Sequence, residues 1–94
     1  MEIYRHRLIA YSLGDFAGYR NFATEGALGI SGILHVKLAA NGRFLSGKLV
    51  STVLDRDDRP LPDPDDRAAA LVEQLSREDL GRRGAHVAPD GSIT

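Results

Sequence analysis

Asn41-Gly42 lies between two runs whose apolar residues alternate with polar ones, and this dipeptide limits the fold of the chain more than any other feature does. Leu34, Val36 and Leu38 alternate with His35 and Lys37 before it, and Leu45, Gly47, Leu49, Ser51 and Val53 share one face of the run after it. Alternation with a period of two puts one set of side chains on each face of a strand. Asn-Gly is the strongest short turn signal because both residues tolerate the left-handed backbone that a tight hairpin needs. Residues 30–54 are therefore predicted to form an antiparallel hairpin with one packed face and one wet face.

The flanking segments read differently. Residues 2–13 suggest a short hairpin or bent strand, with Arg5-His6-Arg7 at its polar centre and no Gly to set the turn type. Residues 15–29 show no sustained period and read as an ordered loop, with Phe16, Tyr19 and Phe22 among small residues. Five of the six aromatic residues fall within the first 22 positions, so this part of the chain needs an apolar surface to pack against. A charge run with Pro60 and Pro62, followed by Pro64, makes 55–63 a solvated connector. A helix is predicted over 64–80, with Asp63 as N-cap, Pro64 at the first helical position, and Asp65 and Asp66 at the positive end of the helix dipole. Ala68, Leu71, Val72 and Leu75 form its apolar stripe. Ser76-Arg77-Glu78-Asp79 reads as a second capping sequence ahead of Gly81. Residues 85–94 read as a strand, a Pro-Asp-Gly turn and a stub. The expected class is α+β, mainly antiparallel strands with one C-terminal helix.

Composition narrows the chemistry. With no cysteine, thiolate metal sites, disulfides and cysteine nucleophiles are excluded, and the compartment stays open. A formal charge of -1 argues against a general polyanion binder, so no nucleic-acid partner is expected. No apolar run approaches the ~20 residues needed to cross a bilayer as a helix. His6, His35 and His86 are isolated in sequence, without ligand spacing. Asp55, Asp57 and Asp66 match three positions of a calcium loop, but Pro60 stands where that loop needs Gly. Ser12 lies outside a Gly-x-Ser-x-Gly elbow and has no assignable His-acid pair. No catalytic residue, metal ligand or cofactor is assigned within these 94 residues.

The remaining signal is Ile9-Ala10-Tyr11-Ser12-Leu13-Gly14-Asp15-Phe16, an apolar run delivering a Gly-Asp turn to a surface. It is similar to the IAYSLGNF signature found late in CapA-type proteins of bacterial capsule and poly-gamma-glutamate synthesis, which have a metallophosphatase-like αββα sandwich fold. Later features follow in the same order as in that family: a strand pair with a Gly turn, an Arg-Pro (Arg59-Pro60), a helix, and a closing strand with Asp-Gly (Asp90-Gly91). The resemblance implies a single partial domain, the C-terminal part of such a protein. The family's metal ligands lie in motifs before the signature, so a divalent metal belongs to the full-length parent. Ser12, Gly14 and Asp15 become the implied substrate-binding residues, with Asp15 where the family has Asn. The implied partner is the missing N-terminal part of the domain or a second copy of the chain. The alternative expectation is a free-standing interaction module that binds a protein or anionic partner through the aromatic loop 16–22 and the basic hairpin, in which Lys37, Arg43 and Lys48 are the only charges from Gly26 to Leu54.

Overall fold

A computed structural model describes all residues 1–94. Six strands and one α-helix form an α+β fold: β1 (Glu2–Tyr4), β2 (Arg7–Ile9), β3 (Ile30–Leu38), β4 (Phe44–Leu54), β5 (Pro60–Pro62), α1 (Arg67–Leu80) and β6 (Ser92–Ile93), with 3₁₀ turns at Gly26–Gly29 and Gly81–Arg83. β1 and β2 form a two-stranded sheet, and the other four strands form the second. Every strand pair is antiparallel. No helix is long and apolar enough to cross a membrane.

The predicted hairpin is the centre of the larger sheet. Its register pairs Leu34 with Leu49 and Gly32 with Ser51 on the face that meets α1, and Ile33 with Val50 and His35 with Lys48 on the other face. Asn41 Oδ1 accepts the Arg43 N–H at 3.0 Å, and Gly42 takes φ +80° at the turn. A register shift after Lys37 makes Leu45 the extra residue of a bulge, so this leucine stays exposed although simple alternation puts it on the packed face. The far edge of β4 is divided between two strands, with β5 along Thr52–Leu54 and β6 along Gly47–Lys48. β3 forms the other edge of the sheet and pairs only with β4.

The connector over 55–63 is more structured than its composition suggests. Asp55 closes a tight turn by accepting the N–H groups of Asp57 and Arg59 at 2.8 and 3.0 Å, and Pro60–Pro62 then form β5 against β4. Proline is tolerated here because β5 is an edge strand that needs few amide donors. Arg56, Arg59, Leu61 and Pro62 are exposed, but Asp58 and Asp63 are both buried, each satisfied in part by backbone N–H groups.

The helix also departs from expectation at its start. Pro64, Asp65 and Asp66 form a turn, and the helix begins at Arg67, with Asp66 in the left-handed region at its N-cap. The capping role is divided instead between two side chains. Asp63 accepts the Arg67 N–H at 3.0 Å, and Ser51 Oγ on β4 accepts the Ala68 N–H at 3.0 Å while donating to Asp63 at 3.0 Å. The first turn of the helix is thereby fastened to the sheet. No break occurs at Ser76, which is buried within the helix and accepts from the Met1 amine at 2.9 Å.

Ala68 and Ala69 let α1 approach the sheet closely. With Met1, Leu49, Ala85, Val87 and Ile93 they form the core, against which Ile3, Leu8, Leu13, Ile30, Leu34, Phe44 and Val72 pack. The segment 86–94 folds back as a small hairpin, with paired hydrogen bonds between His86 and Thr94 and the Leu49 N–H donating to Gly91 O at 2.8 Å. Arg5 (φ +48°) and His6 (φ +64°) form the two-residue turn between β1 and β2, so the turn needs left-handed backbone at two residues that are neither Gly nor Asn. Such a conformation costs on the order of 1 kcal/mol or more at each residue.

Candidate functional site

Leaving β2, the chain runs past the free edge of β3 with no regular secondary structure. Two contacts fix its path there. Ser31 Oγ donates to Leu13 O at 2.7 Å, and Gly14 passes so close to β3 that a Cβ on it would lie 2.8 Å from Ile30 O. Gly14 has φ +82°, and its N–H donates to Ser12 Oγ at 3.3 Å. Tyr11 is anchored from the other side by its hydroxyl, which donates to Glu2 Oε2 at 2.9 Å. This hydrogen bond to a carboxylate holds the Tyr11 phenol above its ordinary pKa.

This path leaves an open apolar groove between the 12–14 segment, the upper part of β3 and α1. One cavity of about 210 Å³ is lined by Ser12, Leu13, Gly14, Ala27, Ile30, Ser31, Gly32, Leu49, Ala68, Leu71, Val72 and Leu75. A second, of about 240 Å³, shares Ser12, Val72 and Leu75 with it and continues to Met1, Tyr11, Asp79 and Leu80. The predicted helix stripe thus has two roles. Ala68 belongs to the core and also floors the groove, Val72 packs against the core while lining the groove, and Leu71 and Leu75 line the groove, with Leu75 45% exposed.

Of the three residues that the resemblance marks, Ser12 and Gly14 line the groove, and Asp15 lies outside it, exposed and without a hydrogen bond to its side chain. No histidine reaches the groove, and Asp79 is the only carboxylate along it. A wall of leucine, isoleucine, valine and alanine around a serine hydroxyl and backbone can bind apolar surface. Its polar groups are the Tyr11, Ser12 and Ser31 hydroxyls and the Asp79 carboxylate, none of them paired with a histidine.

No three His, Asp or Glu side chains come together as a ligand group; Asp58 keeps one buried oxygen unpartnered, whereas Asp63 and the half-buried Glu73 are taken up by other groups. Burial pushes Asp63 up, but the Arg67 guanidinium, the Arg67 and Asp65 N–H groups and the Ser51 hydroxyl outweigh it and hold its pKa at about 2. The Val87 N–H at 2.6 Å, followed by the Arg77 guanidinium, holds Glu73 at about 2 against the effect of burial, with His86 Nδ1 3.1 Å away. Both carboxylates are structural clamps. Asp63 fixes the start of α1, and Glu73 fixes the 86–94 hairpin to the middle of the helix.

The sequence did not single out the leucines as groove residues, nor Ser51 and Asp58 as buried polar anchors and Glu73 as a half-buried one. The i, i+4 pair Leu71 and Leu75 did carry a signal, that of an apolar stripe, but periodicity cannot say whether such a stripe faces a core or an opening. No family model matches the chain, and neither a curated protein nor a solved structure matches it.

Proposed function

We propose that this chain is the C-terminal part of a CapA-type, metallophosphatase-like protein of capsule or poly-gamma-glutamate synthesis. In this reading it is not catalytic itself, and its groove seats the preceding part of the same domain or a second copy of the chain. The observation that carries the reading is the position of the signature-like turn. Residues 11–15 run beside the unpaired edge of β3, where the helix turns leucines toward an opening instead of a core. A strand edge next to an apolar groove is what a sheet presents where further chain is to be added. Ser12 and Gly14 then form one wall of a site whose remaining walls, together with any divalent metal, belong to the parent. Assaying the purified 94-residue chain for metal-dependent phosphoesterase activity tests this. No turnover is expected, and clear turnover abolished by a chelator overturns the reading.

One observation favours the second reading, a free-standing interaction module. The aromatic loop is rigidly presented: Asp58 Oδ2 accepts the N–H groups of Asn21 and Phe22 at 2.6 and 3.1 Å, Asp58 O accepts the Gly18 N–H, and Arg20 pairs with Asp57 at 2.8 Å. Tyr19 is left 75% exposed on this support, with the Arg20 guanidinium over its ring. A fixed, exposed aromatic is a good anchor for a protein partner. The DNA upstream of the Met1 codon separates the two readings: an open frame encoding Asp- and His-rich metallophosphatase motifs supports the first, and a promoter with a ribosome site supports the second.

A further inference from the structure

We propose that the cleft between the Arg5-His6 turn and the Asn41-Gly42 turn is a binding site for phosphate, either free or as the terminal group of a monoester. This cleft is separate from the groove. It has a volume of about 140 Å³ and is lined by Arg5, His6, Arg7, Asn41 and Arg43, with no carboxylate and no apolar side chain.

Its charge is unusual for this molecule. Acidic residues outnumber Lys and Arg, 13 to 12, and the six ion pairs of the fold involve Arg20, Lys48, Arg59, Arg67, Arg77 and His86. None involves Arg5, Arg7 or Arg43. Three unpaired guanidinium groups brought to one cleft repel one another, and an oxyanion between them turns that repulsion into attraction. Phosphate suits the cleft better than chloride does, because the planar fork of arginine matches two oxygens at once.

The cleft is also held in shape before any ligand arrives. The Phe44 N–H donates to His6 O at 2.9 Å and ties the two turns together. Arg7 packs against Gly42, where a Cβ would collide with its Nη1. Arg5 lies over the Tyr4 ring, with 5.4 Å between the guanidinium carbon and the ring centroid. Asn41 uses Oδ1 to accept the Arg43 N–H, which leaves its amide NH2 as a further donor at the rim. The left-handed Arg5 and His6 add to this picture, since Asn and Gly suit such a turn far better and neither could supply charge.

The test is a titration of the full chain at low ionic strength with inorganic phosphate and, separately, phenyl phosphate, using sodium chloride as reference and following amide chemical shifts. Saturable shifts confined to residues 4–8 and 39–44 are expected. Arg7→Gln and Arg43→Gln should each weaken binding about tenfold, as loss of a charge-assisted hydrogen bond implies. Lys37→Gln, which removes the same charge from β3 outside the cleft, should leave binding unchanged. Arg7→Lys keeps the charge without the fork and should fall between wild type and Arg7→Gln, with amide shifts elsewhere in the spectrum confirming the fold of each variant. Tighter binding of phenyl phosphate points to a monoester as the natural ligand, and equal binding to free phosphate. Shifts no larger than those with chloride for both probes, or an equal loss in Lys37→Gln and Arg43→Gln, overturn the proposal.

Discussion

At Gly14 two requirements meet in one residue. The backbone is left-handed at φ +82°, and the space a Cβ would occupy is 2.8 Å from Ile30 O. Gly14→Ala is therefore expected to lower unfolding free energy by about 1–2 kcal/mol in urea titrations, through strain and through displacement of the 12–14 segment from β3. Asp15→Asn is expected to change stability by less than ~0.5 kcal/mol, because the Asp15 side chain is exposed and makes no hydrogen bond. A neutral Gly14→Ala would mean that the turn does not depend on its close approach to β3. At this scale much was legible. Glycine next to Asp signals a turn, but the reason only glycine fits is Ile30 O, which is 16 residues away in sequence and invisible to any local pattern.

Elements were legible to the extent that their partners were local. The β3–β4 hairpin is specified by its own alternation and by Asn41-Gly42, and it formed as read, apart from the bulge at Leu45. The start of α1 was misplaced because its amide groups are satisfied from outside the helix, by Asp63 and by Ser51 on β4. The capping pattern of Asp63-Pro64 fits a helix start equally well without them. The same tertiary clamps set a pH dependence. Asp63 and Glu73 both have pKa values of about 2 in the fold, against ordinary values of 3.8 and 4.5. Between these limits the unfolded chain binds more protons than the folded one, so stability rises with pH there. Their contribution is complete above about pH 5, where both carboxyls are ionised in either state, and it is lost as the pH falls toward 2. Urea midpoints measured at pH 7, 5 and 3 should agree at the first two values and drop at the third. A Glu73→Gln chain should be less stable at pH 7 and lose less on acidification. A wild-type midpoint that is the same at pH 3 and pH 5 would refute the clamp assignment.

For the whole molecule, surface area is the quantity that bears on partners. A compact monomer of 10.2 kDa is expected to expose about 5,300 Å², and this chain exposes 6274 Å². The excess is close to the ~800 Å² that each side of a standard protein interface buries. Its radius of gyration, 13.6 Å, likewise exceeds the ~12.4 Å expected for this length. Part of that surface is apolar and contiguous with an unpaired strand edge, a combination that promotes association. No local period in the sequence reports such an excess, since it depends on which faces remain uncovered once the elements have packed. The chain alone is expected to self-associate as its concentration rises in sedimentation velocity runs. Leu75→Glu should weaken that association by about tenfold or more, because a carboxylate would have to be buried in the joined surface. The urea midpoint should hardly change, since Leu75 is already 45% exposed on the groove wall. A wild-type chain that stays a sharp, monodisperse monomer across the concentration range, with cooperative unfolding, would show that the groove needs no occupant and would remove the main support for reading this chain as part of a larger domain.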